Sequence, residues 1–185
     1  MWQGIKREDY KLIVESRQLA FSAHDRWTNH DYKKGVGYSY HLQMAVDFGI
    51  MFLHLLEPEE RAIAISGIYL HDAVEDVRLT KNDIIKSIEN KRVAQLSCNM
   101  CCDIWGGTRD ERNSPSYYKR VNSDKLSVYG KLCDRMANIT ESILTKGEPT
   151  DFYIDEMEDF LSKLDIDKNG FQEMSLYLKE IAGFH

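Results

Sequence analysis

Proline occurs only at positions 58, 115 and 149 of the 185 residues. Proline removes a backbone donor and clashes with the preceding helical turn, so its scarcity leaves room for long helices. Apolar side chains recur at spacings of three and four along most of the chain, whereas strict alternation never persists beyond a few residues. Leu12, Ile13, Ser16, Leu19, Ala20 and Ala23 trace one face of a first helix. The expected fold is all-α, a single compact helical bundle.

Further boundaries follow from local signals. Residues 25–37 are polar and end in Gly35 and Gly37, which reads as a loop. Residues 39–55 resume a helical pattern. Pro58 suits the first position of a third helix, where its missing N–H is harmless. That helix is apolar almost all round, which implies central burial. Thr80 and Asp83 have the spacing of a capping pair ahead of Ile84. Helices are also expected over 91–104, 124–145, 150–164 and 171–182, with a short segment opening at Ser114-Pro115.

The length suits one domain, large enough to bury a core without disulfides. The net charge of −6 and pI near 5.5 argue against coating a nucleic-acid backbone. No apolar run reaches the ~18 residues that a membrane span needs, and the first residues lack a secretory apolar segment. Three of the four cysteines (98, 101, 102 and 133) crowd into five positions, poor geometry for two separate bridges. They read as reduced thiols of a cytosolic chain.

The informative segment is His71-Asp72-Ala73-Val74-Glu75-Asp76, which closes the apolar third helix. Charge buried there is costly unless paired or coordinated. Imidazole with carboxylate suits Mn, Fe, Co or Zn. Two ligands are too few, and His41 and Asp134 are the best additional candidates. His41 follows the glycine-rich loop, and Asp134 lies in a helix whose neighbours are apolar. Glu75 and Asp76 stand about one turn further on, where a carboxylate could orient or deprotonate a water.

The order H…HD…D resembles the HD-domain phosphohydrolase superfamily. Over about residues 20–145 it is most similar to the hydrolase domain of the RelA/SpoT family and its small stand-alone alarmone hydrolases. Three segments carry the resemblance: Gly35, Tyr38 and His41; the HDxxED box at 71–76; and Lys131-Leu132-Cys133-Asp134-Arg135-Met136-Ala137-Asn138. It implies one divalent metal ion, usually Mn²⁺, on His41, His71, Asp72 and Asp134. It implies water activation by Glu75 and Asp76, and a nucleotide-sugar contact from Asn138. The family's Arg-Lys pair falls on Tyr32 and Lys33, so Lys33 keeps a phosphate-binding role and Tyr32 offers a ring to stack on a base. Glu141 stands where the family has a purine-side threonine. Both departures leave the base open. Arg109 and Arg112 resemble a basic segment of compact members and are candidate substrate contacts, since guanidinium forks match phosphate oxygens.

The resemblance therefore implies a metal-dependent nucleotide phosphohydrolase, with removal of the 3′-diphosphate from a guanosine bis(diphosphate) alarmone as first candidate. An HD hydrolase of a deoxynucleotide triphosphate or nucleoside monophosphate is the nearest rival, and a non-catalytic nucleotide binder is the rival from another class. The expected partner is a small nucleotide, with neither nucleic acid nor membrane, and a homo-oligomer is left open. No synthetase domain follows in the sequence, so degradation rather than synthesis is expected. Cys98, Cys101 and Cys102 are expected on one helical face and in the core, not on zinc. Residues 165–170 imitate a calcium loop, but Leu176 occupies the position that needs Glu, so a turn between helices is expected.

Overall fold

A computed structural model of the chain describes residues 4–28, 31–33, 35–102, 108–145 and 149–183. The fold is all-α, as the periodicity implies. Helix α1 (Tyr10–Phe21) runs directly into a wider, π-helical turn, Ser22–Trp27. A small hairpin follows, β1 (Asp31–Lys33) against β2 (Val36–Gly37), antiparallel with Asp31 opposite Gly37 and Lys33 opposite Val36. Helix α2 (Ser39–Met51) leads through a short 3₁₀ turn to α3 (Pro58–Tyr69). Then come α4 (Lys81–Ile88), α5 (Lys91–Met100), the single turn α6 (Arg109–Arg112), α7 (Pro115–Val121) and the long α8 (Lys125–Thr145). The chain ends in α9 (Pro149–Asp155), α10 (Met157–Ser162), α11 (Ile166–Asn169) and α12 (Gln172–Ile181).

Local chemistry accounts for the starts of these helices. Pro58 opens α3 behind Glu57, and the Glu60 carboxylate accepts the Glu57 N–H at 3.2 Å. Thr80 and Asp83 form the expected reciprocal cap: Asp83 N–H donates to Thr80 Oγ1 at 3.2 Å, and Thr80 N–H donates to Asp83 Oδ2 at 3.0 Å. Asn90 caps α5, and Ser114 with Pro115 opens α7.

Helix α3 is the central strut, packed against α1, α2, α5 and α8. Ile65, Ile68 and Leu70 are fully or almost fully buried there, and buried apolar side chains from α1 to α12 join one cluster. Close approach of α2 and α3 depends on Gly49: a Cβ there would lie 2.6 Å from Ile68 Cδ1. The Gly49 carbonyl accepts the hydroxyl of buried Tyr129, which ties α8 to the same crossing.

Four expectations need correction. Residues 25–37 hold a π-helical turn and a hairpin, not only a loop; strands this short carry no readable alternation. The helix expected over 91–104 ends at Met100, where Cys101 turns extended, and 103–107 lie outside the described residues. Cys101 and Cys102 are therefore buried beyond the helix rather than on its face. The helix expected over 150–164 is broken at Glu156 into α9 and α10, which directs Met157, Phe160 and Leu161 into the core. All four cysteines are thiols, with no disulfide among them. Residues 165–170 form a turn ending at left-handed Gly170, as expected. Among the described residues, no helix is long and apolar enough to cross a membrane.

Candidate metal centre

Helix α3 stops at Tyr69, so the His71–Asp76 segment lies on the turns that follow it rather than in the helix itself. His71 N–H still reaches the Ile68 carbonyl at 3.3 Å, and Asp76 N–H reaches the Asp72 carbonyl at 2.8 Å. The His71 ring donates from Nδ1 to the same Ile68 carbonyl at 2.8 Å. That contact selects the tautomer whose Nε2 faces inward. His41 arrives from the first turn of α2, and Asp134 from the middle of α8.

The imidazole nitrogens His41 Nε2 and His71 Nε2 lie 3.3 Å apart. Asp134 Oδ1 is 3.3 Å from the first and 3.5 Å from the second. These three buried residues form a group able to hold a metal ion. Asp72 joins through the histidines: its Oδ2 lies 2.8 Å from His71 Nε2 and 3.7 Å from His41 Nε2. The ligand bond lengths of first-row metals, about 2.0–2.2 Å, separate neighbouring donors by about 3.0–3.5 Å. The mutual spacing of the triad matches the edges of such a polyhedron, and its donor set suits a borderline divalent cation.

Neighbouring groups hold the donors. Tyr38 donates its hydroxyl to Asp72 Oδ2 at 2.6 Å. Lys131 Nζ lies 2.6 Å from Asp134 Oδ2, and Asn138 Nδ2 donates to Asp134 Oδ1 at 2.7 Å. Residues 131, 134 and 138 share one face of α8 because they are three and four apart. His41 Nδ1 is buried and has no hydrogen-bond partner among the described residues.

Electrostatics follow from this crowding. Burial opposes protonation of His71, but Asp72 and Asp134 overcome it and raise its pKa well above the ordinary histidine value. Burial would raise the carboxyls of Asp72 and Asp134. The attraction of His71 for the first, and of Lys131 and His71 for the second, holds both below the usual carboxylate range. Asp76 goes the other way, pushed up to about 7 by burial and by the charges of Asp72 and Glu75. The Tyr38 hydroxyl is raised well above its ordinary value by burial and then by Asp72 and Asp76.

Beside the triad opens a cleft of about 270 Å³. Asp72, Glu75, Asp76 and Asp134 face it, together with the cations Arg112, Lys131 and Arg135. Glu75 is pinned: Cys102 N–H donates to its Oε2 at 3.1 Å, and Arg112 Nη1 lies 3.7 Å from its Oε1. Asn138 also lines the cleft. Tyr32 does not stand apart as a free platform: its ring stacks on His41 with centroids 5.1 Å apart, at 22°. Lys33 is in β1, but its side chain, like that of Arg109, lies outside the described residues.

Sequence reasoning gave Tyr38 and Lys131 no separate role, although both stand inside the motifs it used. The signal was there for Lys131, three residues before an aspartate on a helix that buries both. Tyr117 and Tyr118, which line the cleft, follow the basic segment that holds Arg109 and Arg112; for Tyr153 and Phe160, which also line it, there was no signal, because their meeting depends on how α9 and α10 pack. No protein-family model matches the sequence, and no curated protein matches it significantly.

Proposed function

We propose that this chain is a metal-dependent phosphohydrolase of the HD type acting on a nucleotide, with an alarmone that loses its 3′-diphosphate as the first substrate to test. The observation that carries the reading is the convergence of His41, His71 and Asp134, with Asp72 against both histidines, at the edge of a cleft that also presents Glu75 and Asp76. The alarmone rests on the sequence resemblance alone.

A divalent ion, with Mn²⁺ the first to try, would supply Lewis-acid charge and a lowered water pKa when held by His41, His71, Asp72 and Asp134. Glu75, fixed by the Cys102 amide and by Arg112, would orient the attacking water and take its proton, with Asp76 beside it. The water oxygen would bond to phosphorus as the bond to the ribose 3′ oxygen breaks and that oxygen takes up a proton, while Lys131, Arg135 and Arg112 would offset charge on the diphosphate, each while shared with an acid, Asp134, Glu156 and Glu75 in turn. Asn138 would act through the Asp134 carboxylate that it holds. Lys33 and Arg109 remain candidate phosphate contacts, and Tyr32 would bear on substrate through the ring it lays on His41.

The test is a nucleotide panel with Mn²⁺, beside Asp72→Ala. Release of diphosphate from a 3′ position supports the alarmone reading. Turnover of a deoxynucleotide triphosphate or a nucleoside monophosphate supports the nearest alternative, and nucleotide binding without turnover supports a sensor. Asp72→Ala is expected to lose metal and hydrolysis together with helix content unchanged. Full activity of that variant in chelator overturns the metal reading.

A further inference from the structure

We infer that the π-helical turn Ser22–Trp27 sets the geometry of the metal centre, with His24 and Asp25 as positioning residues. The inference rests on the metal-binding reading of His41, His71 and the two aspartates.

Three contacts carry it. The fully buried ring of His24 lies flat against Tyr38, centroids 4.6 Å apart and planes 11° from parallel. Tyr38 is the residue whose hydroxyl holds Asp72. Next along the turn, Asp25 Oδ1 accepts the N–H of Ser39 at 3.1 Å, in the first turn of α2 and two residues before His41. The carboxylate reaches that N–H past Gly37, where a Cβ would stand 2.9 Å from Asp25 Oδ1.

The first N–H groups of a helix have no partner within it and are commonly satisfied by a side chain of the residue just ahead. The residue ahead of α2 is Tyr38, which makes no such bond among the described residues. The bond comes instead from a separate element. The start of α2 is thereby registered to the π-helical turn, and so is the tyrosine ring on Asp72. One ligand, His41, is set through the backbone of α2; another, Asp72, is set through a stacked ring. The turn itself is closed by Thr28, whose N–H donates to the Ala23 carbonyl and whose hydroxyl faces the carbonyls of Ala23 and His24. π-Helical turns are rare and occur disproportionately at functional sites; here the wider turn aims adjacent residues 24 and 25 at adjacent residues 38 and 39.

The experiment pairs disruptive and conservative variants: His24→Leu with His24→Phe, and Asp25→Ala with Asp25→Asn. Mn²⁺ affinity is read by electron paramagnetic resonance of the free ion. The ring-flip rate of Tyr38 is read by NMR in metal-free protein, with Tyr38→Phe as the assignment control. Groups that orient metal ligands are worth about 10–100-fold in affinity, so His24→Leu and Asp25→Ala are expected to weaken Mn²⁺ binding at least about tenfold. His24→Phe keeps a flat ring and Asp25→Asn keeps an acceptor oxygen, and both are expected to restore most of the affinity. The Tyr38 ring is expected to flip faster in His24→Leu than in the parent or His24→Phe. Equal Mn²⁺ affinity across the set, or conservative variants as weak as the disruptive ones, overturns the inference. A parent protein that takes up no Mn²⁺ overturns the metal reading instead. The ring-flip comparison then still decides whether His24 positions Tyr38, and equal rates refute it. Should His24→Leu fail to fold, the Asp25 pair and His24→Phe decide between the same outcomes.

Discussion

Lys131 Nζ sits 2.6 Å from Asp134 Oδ2, one turn before it on α8, so the carboxylate that offers Oδ1 to the two histidines is neutralised through its other oxygen. Burial pulls the pKa of the lysine down, but Asp134 outweighs it and raises that pKa well above the ordinary value, so the pair stays charged. Removing one partner of a buried ion pair leaves the other uncompensated, at a cost of about 3–5 kcal/mol. Lys131→Met is expected to lose stability toward the lower end of that range, because both side chains keep some solvent contact. Urea denaturation measures the loss. Mn²⁺ is expected to recover part of it by replacing the missing positive charge, and an unchanged midpoint in metal-free protein would refute the pairing.

Metal uptake should be coupled to protons. His71 has a folded-state pKa above its unfolded value, so the stability it contributes is complete below about 6.5 and is lost as pH rises through the folded value. Asp76, raised to about 7, acts in the same sense: its contribution is present below the ordinary aspartate range and fades as pH climbs toward 7. Metal-free protein is therefore expected to weaken as pH rises from about 4 through neutrality, so far as these two groups govern it. A metal takes only deprotonated His71, so Mn²⁺ affinity is expected to grow across the upper part of that window, with proton release. Calorimetry in buffers of different ionisation enthalpy reads that release directly, and its absence at neutral pH would contradict the protonated histidine.

Glu75 and the candidate metal ligands are expected to separate in their effects. Glu75→Gln keeps an oxygen for the Cys102 amide and removes the base. Mn²⁺ affinity should stay near that of the parent, while turnover of whichever nucleotide the panel identifies should fall about 10²–10⁴-fold. A loss of Mn²⁺ affinity as large as that of Asp72→Ala would move Glu75 from water activation to metal binding.

The crossing of α2 and α3 ties core packing to the candidate metal centre. Gly49→Ala places a methyl 2.6 Å from Ile68 Cδ1 and 3.3 Å from Ile65 Cδ1, in a packed core. Overpacking of this kind costs about 1–3 kcal/mol. The melting temperature is expected to drop, and because α2 carries His41, Mn²⁺ affinity should drop with it. An unchanged melting temperature would mean that the helices part at no cost.

Much of this protein can be read from its residues in order. Helix-forming periodicity, the position of Pro58 and the Thr80–Asp83 pair act over a few residues, and local forces of that range determine the all-α fold and most helix starts. The ligand candidates were legible for a related reason: a histidine or aspartate beside strongly apolar neighbours, on a helix or just past its end, must be compensated once buried. Tertiary structure alone decided what compensates what. Tyr38 on Asp72, Tyr32 on His41, Arg112 on Glu75 and the π-helical turn on the start of α2 join residues 9 to 37 positions apart, and Tyr153 and Phe160 line the cleft from the two helices on either side of Glu156. Such pairings leave no periodic trace, since each depends on the angle and depth at which whole helices pack, and packing sums over contacts that no short window of sequence contains.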